Sequence, residues 1–399
     1  MRSPLDSYFE ELHDRLRERR RDGLNRELEP AHGIDFTSND YLGLSRHPRL
    51  LRHLSEILQE CPAGAPASRL LRGNHPIHEE AEGRFAEFKG TEAALLFPSG
   101  YQANAGALTA LIGRHDRVLS DEWNHASLID GIRLTGAERV IYPHLDLDAV
   151  ETHLRRPHPG GRTFVVTESL FSMDGDIAAL DELVRLTHRH GALLMVDEAH
   201  ATGLFGDTRG SGLVEFFAVE HDVLATTSSC GKALGLSGAF VTGSRIVKEH
   251  LVNHARSFVF TTAPSPLLAA TVCESLRIAN EESWRRDRAL RNADRLRKRL
   301  RALDVPGSSP PEAGEARTPS GPIIPIPIGD NRLSVEIATR IRGTGYDVRT
   351  LRPPTVPDGT ARLRVSVHAD HGDEDIDGVA EAIAKAIAPC RAEIGGSIS

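Results

Sequence analysis

The chain has 399 residues, and 48 basic against 56 acidic side chains leave a formal charge of −8. This balance disfavours a nucleic-acid partner, which would select a basic excess gathered on one face, and no apolar run reaches the roughly 20 residues of a membrane-spanning helix. With 40% hydrophobic and 26% charged residues, a soluble protein with a sizeable core is expected, not a disordered chain.

Residues 3–28 mix Glu, Asp and Arg at helical spacing and lack the apolar centre of a secretory signal, so they predict an amphipathic arm. An extended stretch, 34–44, follows and ends in a turn. From about residue 50 to 260, short apolar or β-branched runs at 93–97, 117–120, 163–167, 192–196, 223–227 and 239–242 alternate with longer helical segments. Strands separated by helices predict βαβ units around a mostly parallel sheet, the α/β class. An Arg-rich helix over 281–303 leads into a Pro-, Gly- and Ser-rich loop, 306–322. Strands at 323–328, 346–349 and 362–367, with helices near 333–343 and 376–388, then predict a smaller α+β C-terminal domain. The tail after Cys390 is expected to fray. Cys61, Cys230, Cys273 and Cys390 lie far apart, without zinc spacing or a disulfide framework, so we expect no metal and a reducing, cytoplasmic setting.

Ligands of open α/β sheets bind beyond the carboxyl ends of the strands. Five of the runs end in polar or glycine-rich clusters, at 98–101, 121–125, 168–172, 197–200 and 228–232, which suggests a shared rim. No G-x-G-x-x-G follows a strand, which disfavours a dinucleotide-binding dehydrogenase.

The chain holds five lysines, leaving 43 arginines among its 48 basic residues. A guanidinium stays protonated and cannot condense with an aldehyde, whereas a desolvated lysine amine can. Lys89, Lys248, Lys298 and Lys385 sit in charged helical surroundings and are expected on solvated faces. Lys232 follows an apolar run in TTSSCGKALGLSGAF (226–240), among Gly231, Gly235 and Gly238 that permit close backbone approach, and near Ser228 and Ser229 that can hold phosphate. Ala233 after Lys232 rules out a Walker A loop. A cofactor aldehyde remains. Pyridoxal phosphate (PLP) needs an acid for its ring nitrogen, a donor for its phenolic oxygen, a flat group on its face and phosphate ligands. Asp197, His200 and His125 are the candidates, although Asp197 alone would also suit a helix N-cap and each histidine ordinary packing.

NDYLGL (39–44), SRLLRGNHPIHEE (68–80), SGYQAN (99–104), NHASLIDG (124–131), TESLFSMDGD (167–176), VDEAHATGLFG (196–206) and SSCGKALGLSG (228–238) together resemble the α-oxoamine synthases. The similarity runs from about residue 35 to 385. It implies a fold-type I PLP-dependent transferase, related in fold to aspartate aminotransferase, with an arm at 1–48, a PLP-binding large domain at 49–285 and a small domain at 286–399. It also implies a homodimer with shared active sites that condenses an amino acid with an acyl-CoA and releases CoA and CO2.

By this resemblance Lys232 bonds the cofactor aldehyde, Asp197 pairs with the ring nitrogen, and His125 stacks on the ring. Ser172 and His200 contact the phenolic oxygen, while Gly100, Tyr101 and Ser229 bind the phosphate. Thr261 and Thr262 reach the phosphate from the second subunit. Arg352 grips the amino-acid carboxylate, with Thr355 and Asn39 near the substrate. RPPTVPDGTARLRVS (352–366) is similar to the biotin-pathway branch, which implies L-alanine and pimeloyl-CoA. Its N-terminal substrate arginine aligns with Asn25 or Arg26. Ala65-Pro66-Ala67 and Cys230 depart from the family pattern. The alternatives are a member using glycine or serine with another acyl thioester, such as a glycine C-acetyltransferase or one served by an acyl-carrier protein, and, further off, a PLP aminotransferase or a non-enzymatic PLP-binding regulator.

Overall fold

The computed structural model describes residues 3–307 and 319–394; residues 308–318 of the loop expected at 306–322, and 395–399 of the tail, lie outside these. The apolar runs form one seven-stranded sheet in the order Ala93–Phe97, Ala239–Gly243, Ala225–Ser229, Leu193–Asp197, Thr163–Glu168, Arg117–Asp121 and Glu138–Tyr142. Ala239–Gly243 runs antiparallel to both neighbours, and the other pairings are parallel. Successive side chains of a strand point to opposite faces. Accordingly Leu96 and Leu194 join the core on one side of the sheet, and Leu95, Phe97 and Met195 the core on the other. Helices cover both faces, which is why these runs read as continuously apolar. The edge strand Glu138–Tyr142 was not expected. Only Tyr142 is buried there, and Glu138 and Arg139 leave only Val140 to Tyr142 as an apolar run.

The arm is helical over Pro4–Arg21, capped by the Ser3 hydroxyl, which accepts from the Asp6 N–H at 3.1 Å, and it buries no residue. Of the stretch expected to be extended, only Ile34–Asp35 is a strand, paired in parallel with Tyr346–Asp347. Phe36 joins the C-terminal core, while Tyr41, Leu42 and Leu44 join the large one. This short segment therefore stitches the two cores together.

In the C-terminal part, Arg349–Leu351, Ala361–Ser366 and Ile323–Gly329 form an antiparallel sheet backed by Asn331–Arg342 and Asp373–Ile387. Leu363 and Val365 enter its core. By alternation Arg362 and Arg364 lie on the opposite face, where they bond Asp174 and the Ser172 carbonyl of the large part.

One expectation about the lysines is corrected. Lys89 is not on a solvated face; it is 2% exposed and donates to the Glu198 carboxylate and the Ser211 carbonyl. Two buried charges are tolerated because each answers the other and Glu198 also accepts the Val214 N–H at 2.8 Å. The pair secures the loop that follows Asp197.

Candidate active site

Strand Ala225–Ser229 leads into a loop closed on itself, with Cys230 N–H donating to the Gly238 carbonyl at 2.9 Å and Gly235 N–H to the Lys232 carbonyl at 2.8 Å. At Gly235 φ is +66°, and a Cβ would strike the backbone of Leu44 and Ser45, so glycine alone lets the loop lie against that segment. The loop presents Lys232 to a cavity of about 190 Å³ lined also by Gly100, Tyr101, His125, Asp197, His200 and Ser229. Seven of the residues singled out in the sequence thus meet around one space, contributed by the ends of separate strands.

Burial lowers the Lys232 amine below its ordinary pKa, although Asp197 and Glu168 work the other way. A neutral amine is the nucleophilic form. Asp197 is buried and accepts from Asn104 Nδ2 at 2.6 Å and from the Ala199 N–H at 2.8 Å. No helix begins there, so the capping alternative for Asp197 is not realised. The His125 ring bonds the Ser127 hydroxyl at 2.7 Å, and its backbone N–H donates to Glu168 at 2.7 Å. His200 Nδ1 bonds the Tyr41 hydroxyl at 2.7 Å. Burial lowers both imidazoles, His200 far below its ordinary value, with the Lys232 charge adding to each shift. Both rings are therefore neutral near pH 7, able to stack or share a proton without adding charge.

Glu168 was overlooked as a site residue. It lines the same cavity, and burial, helped by Asp197, pushes its carboxyl up to about 8. The first turn of Gly100–Leu111 also opens here, with the Ser99 hydroxyl accepting from the Gln102 N–H at 3.3 Å. The positive end of a helix attracts an anion. A Cβ at Gly100 would have Ser229 Cβ, 4.0 Å away, as its nearest neighbour, so this approach is open. The Tyr101 phenol donates to Asp130.

A second cavity, about 730 Å³, shares His125 and is lined by Trp123, Ser172, Thr355 and Arg26. Arg26 Nη2 donates to the Thr355 hydroxyl at 3.0 Å, whereas the Asn25 amide donates to Glu27 at 2.8 Å. Of the two aligned candidates, Arg26 is the one that reaches this cavity. Thr261, half-buried, and Thr262, exposed, line neither cavity of their own chain.

Arg352, expected to grip the amino-acid carboxylate, does not line the cavity around Lys232. Its guanidinium donates to the carbonyls of Gly23 and Asn25, away from Lys232. Arg364 lines neither cavity either, but it lies close enough for its charge to act on Lys232 and His200. It is buried, it donates to the Ser172 carbonyl at 2.7 Å, Ser366 Oγ at 2.8 Å and Asn39 Oδ1 at 3.0 Å, and its charge lowers the pKa of both Lys232 and His200. Asn39 lines neither cavity and acts by holding Arg364 and the Tyr41 hydroxyl. Arginines alternating with Leu363 and Val365 in one strand were the signal for it, because arginine is rarely buried on a strand without a task.

Beside the second cavity, His144 lies flat under Trp123, with ring centres 3.9 Å apart, and bonds Asp121 at 2.9 Å and Asp176 at 3.3 Å. Burial opposes its charge, but the two carboxylates prevail and push it up to about 9. The folded pKa exceeds the ordinary 6.5, so this contribution to stability is full below 6.5 and is lost as pH rises to about 9. The thermal midpoint should fall across that window in the wild type, and His144→Gln should flatten the slope in pH-dependent melts. Equal slopes would rule the cationic clamp out.

The first cavity fits PLP: a lowered amine for the aldehyde, a buried carboxylate for a protonated ring nitrogen, and a helix start with Ser229 for the phosphate. Among the described residues, no cluster of three or more His, Cys, Asp or Glu could hold a metal ion. Residues 31–383 match the family model for aminotransferase class I and II. The chain is 44% identical over 355 residues to a putative 8-amino-7-oxononanoate synthase of Geobacillus kaustophilus, covering 88% of each chain. It is 39% identical over 386 residues to 8-amino-7-oxononanoate synthase 2 of Bacillus subtilis, covering 94% of this chain and 95% of that one. Among solved structures, serine palmitoyltransferase of S. paucimobilis with bound PLP and myriocin matches with TM-score 0.87 and 28% identity over 97% of this chain and 99% of that one. The 8-amino-7-oxononanoate synthase of Francisella tularensis matches with TM-score 0.75 and 27% identity over 90% and 98%. The chain belongs to the aminotransferase class I and II family and, within it, to the α-oxoamine synthases, PLP-dependent acyltransferases of fold type I.

Proposed function

We propose that the protein condenses L-alanine with pimeloyl-CoA to give 8-amino-7-oxononanoate, CoA and CO2, as a cytoplasmic homodimer. The names of its relatives support the reaction. The observation that carries the choice of acyl group is the second cavity, which begins at His125 and includes the Arg26–Thr355 pair. A guanidinium there suits an acyl chain that ends in a carboxylate and would be wasted on the methyl end of a fatty acyl chain.

Bound PLP supplies an aldehyde for amine exchange and a protonated ring that accepts electron density from the substrate Cα. Lys232, Asp197, His125, His200, Gly100, Tyr101 and Ser229 would hold it, with Ser172 beside its phenolic oxygen. Thr261 and Thr262, which stand outside their own cavity, would serve the second copy. Arg364 would bind the amino-acid carboxylate by a charge-assisted pair, fixing which Cα bond is aligned for cleavage. With the substrate amine bound to the cofactor, the Lys232 amine would be free to take the Cα proton and later return one. The Cα attacks the thioester carbonyl, the CoA thiolate leaves, and the resulting β-keto acid loses CO2. Neutral His125 and His200 keep the site from accumulating positive charge.

A thiol-release assay crossing alanine, glycine and serine with pimeloyl-, succinyl-, acetyl- and palmitoyl-CoA tests this reading. Alanine with pimeloyl-CoA should give the highest kcat/KM. A better pair elsewhere would overturn the substrates, and absence of thiol release with every pair would overturn the reaction for this chain.

A further inference from the structure

A third cavity, about 670 Å³, lies between arm residues 23–29 and the C-terminal elements Asn331–Arg342 and Arg349–Leu351; no cofactor residue proposed above lines it. Five guanidiniums face it against two carboxylates. Arg342 and Arg349 share Glu29, each at 2.6 Å. Glu27 accepts from the Asn25 amide. The other three cations bond neutral groups only: Arg332 the Arg21 carbonyl, Arg352 the carbonyls of Gly23 and Asn25, and Arg26 the Thr355 hydroxyl. Among the described residues none of these three has a carboxylate partner. Burial and the neighbouring charges of Arg26 and Arg19 work against the Arg352 cation.

Like charges held together in a concave, partly desolvated space raise the local potential and are relieved by a bound anion. A single carboxylate would answer one of the three. A diphosphate carries enough charge for all of them and offers the oxygen pairs that guanidinium forks recognise. Leu28, Val335 and Ala338 add an apolar wall, and the volume is in the range of small-molecule sites. We propose that this cavity binds an organic diphosphate of nucleotide size. Arg26 lines both this cavity and the thioester cavity, so occupancy here alters thioester binding through the Arg26–Thr355 contact.

The test uses PLP-saturated holoenzyme, so that the cofactor's own phosphate site is filled. Calorimetric titrations with inorganic pyrophosphate, ADP and CoA at about 0.15 M salt should each show one saturable site. Binding should weaken at least about tenfold in Arg332→Glu, and less in Arg332→Gln, as a charge-assisted contact is lost. The cofactor absorbance and kcat should stay unchanged in both variants, while ADP should shift the KM for the thioester in the wild type alone. CoA binding much tighter than ADP would identify the ligand as the headgroup of the thioester substrate, and equal binding would identify a free nucleotide. Either result upholds the site. No saturable binding of pyrophosphate or ADP, or equal affinity in wild type and Arg332→Glu, would overturn it. Because Arg332 is exposed on a helix, this outcome is not confounded by misfolding.

Discussion

Lys232→Ala is expected to lower turnover by at least about 10²-fold, since a positioned base contributes roughly 10²–10⁴ in rate and, in the function proposed above, this residue also bonds the cofactor. Borohydride treatment of the wild type should leave PLP attached to the peptide containing Lys232, and the variant should give no such adduct. Thiol-release rates complete the test. Lys232→Arg should not restore activity, because a guanidinium remains protonated where an amine can shed its proton. Full turnover in Lys232→Ala would remove the amine from the mechanism even if the cofactor still bound.

Arg364→Ala should cut kcat/KM for the amino acid by about 10² to several times 10³, the equivalent of roughly 3–5 kcal/mol lost when one partner of a buried charge pair is removed. Ser172, Ser366, Asn39 and Tyr41 occupy four of the five guanidinium donors, the Tyr41 contact being the longest at 3.3 Å. A substrate carboxylate takes the remaining donor and can compete for that longest bond. The loss should appear as a raised amino-acid KM with the cofactor spectrum retained. Arg364→Lys should recover only part of it, because an ammonium cannot reproduce the planar set of contacts. Arg352→Gln should leave the amino-acid KM unchanged. The reverse pattern, with Arg352→Gln raising that KM and Arg364→Ala sparing it, would return the role to Arg352. A thermal melt separates either result from loss of fold.

Lys232, Asp197, His200 and His125 were legible in the sequence because aldehyde chemistry demands particular side chains and an α/β sheet delivers them just past its strands. The sheet was legible for a related reason: strands covered on both faces must be apolar throughout, and such runs stand out. The edge strand Glu138–Tyr142 escaped because Glu138 and Arg139 leave it only three apolar residues in sequence. Lys89 looked like any helical surface lysine, and only the folding of the loop after Asp197 brought Glu198 onto it.

The sequence reading named Arg352 alone, although the alternation of Arg362 and Arg364 with Leu363 and Val365 was there to be read. Arg352 and Arg364 each precede or occupy a C-terminal strand, and either could meet a carboxylate. The pairing of Ala361–Ser366 with Ile323–Gly329 fixes which face of the strand turns toward Lys232, and the Phe36–Leu44 segment holds that face against the large core. The same holds for Asn25 and Arg26, adjacent in sequence but committed to different partners. Sequence alone determined the chemistry, because residue type limits what can form a bond to an aldehyde or carry a proton. Tertiary structure decided which of several equivalent cations lies near Lys232, because a guanidinium acts over a few ångströms and distance across the fold is set by packing between segments far apart in the chain.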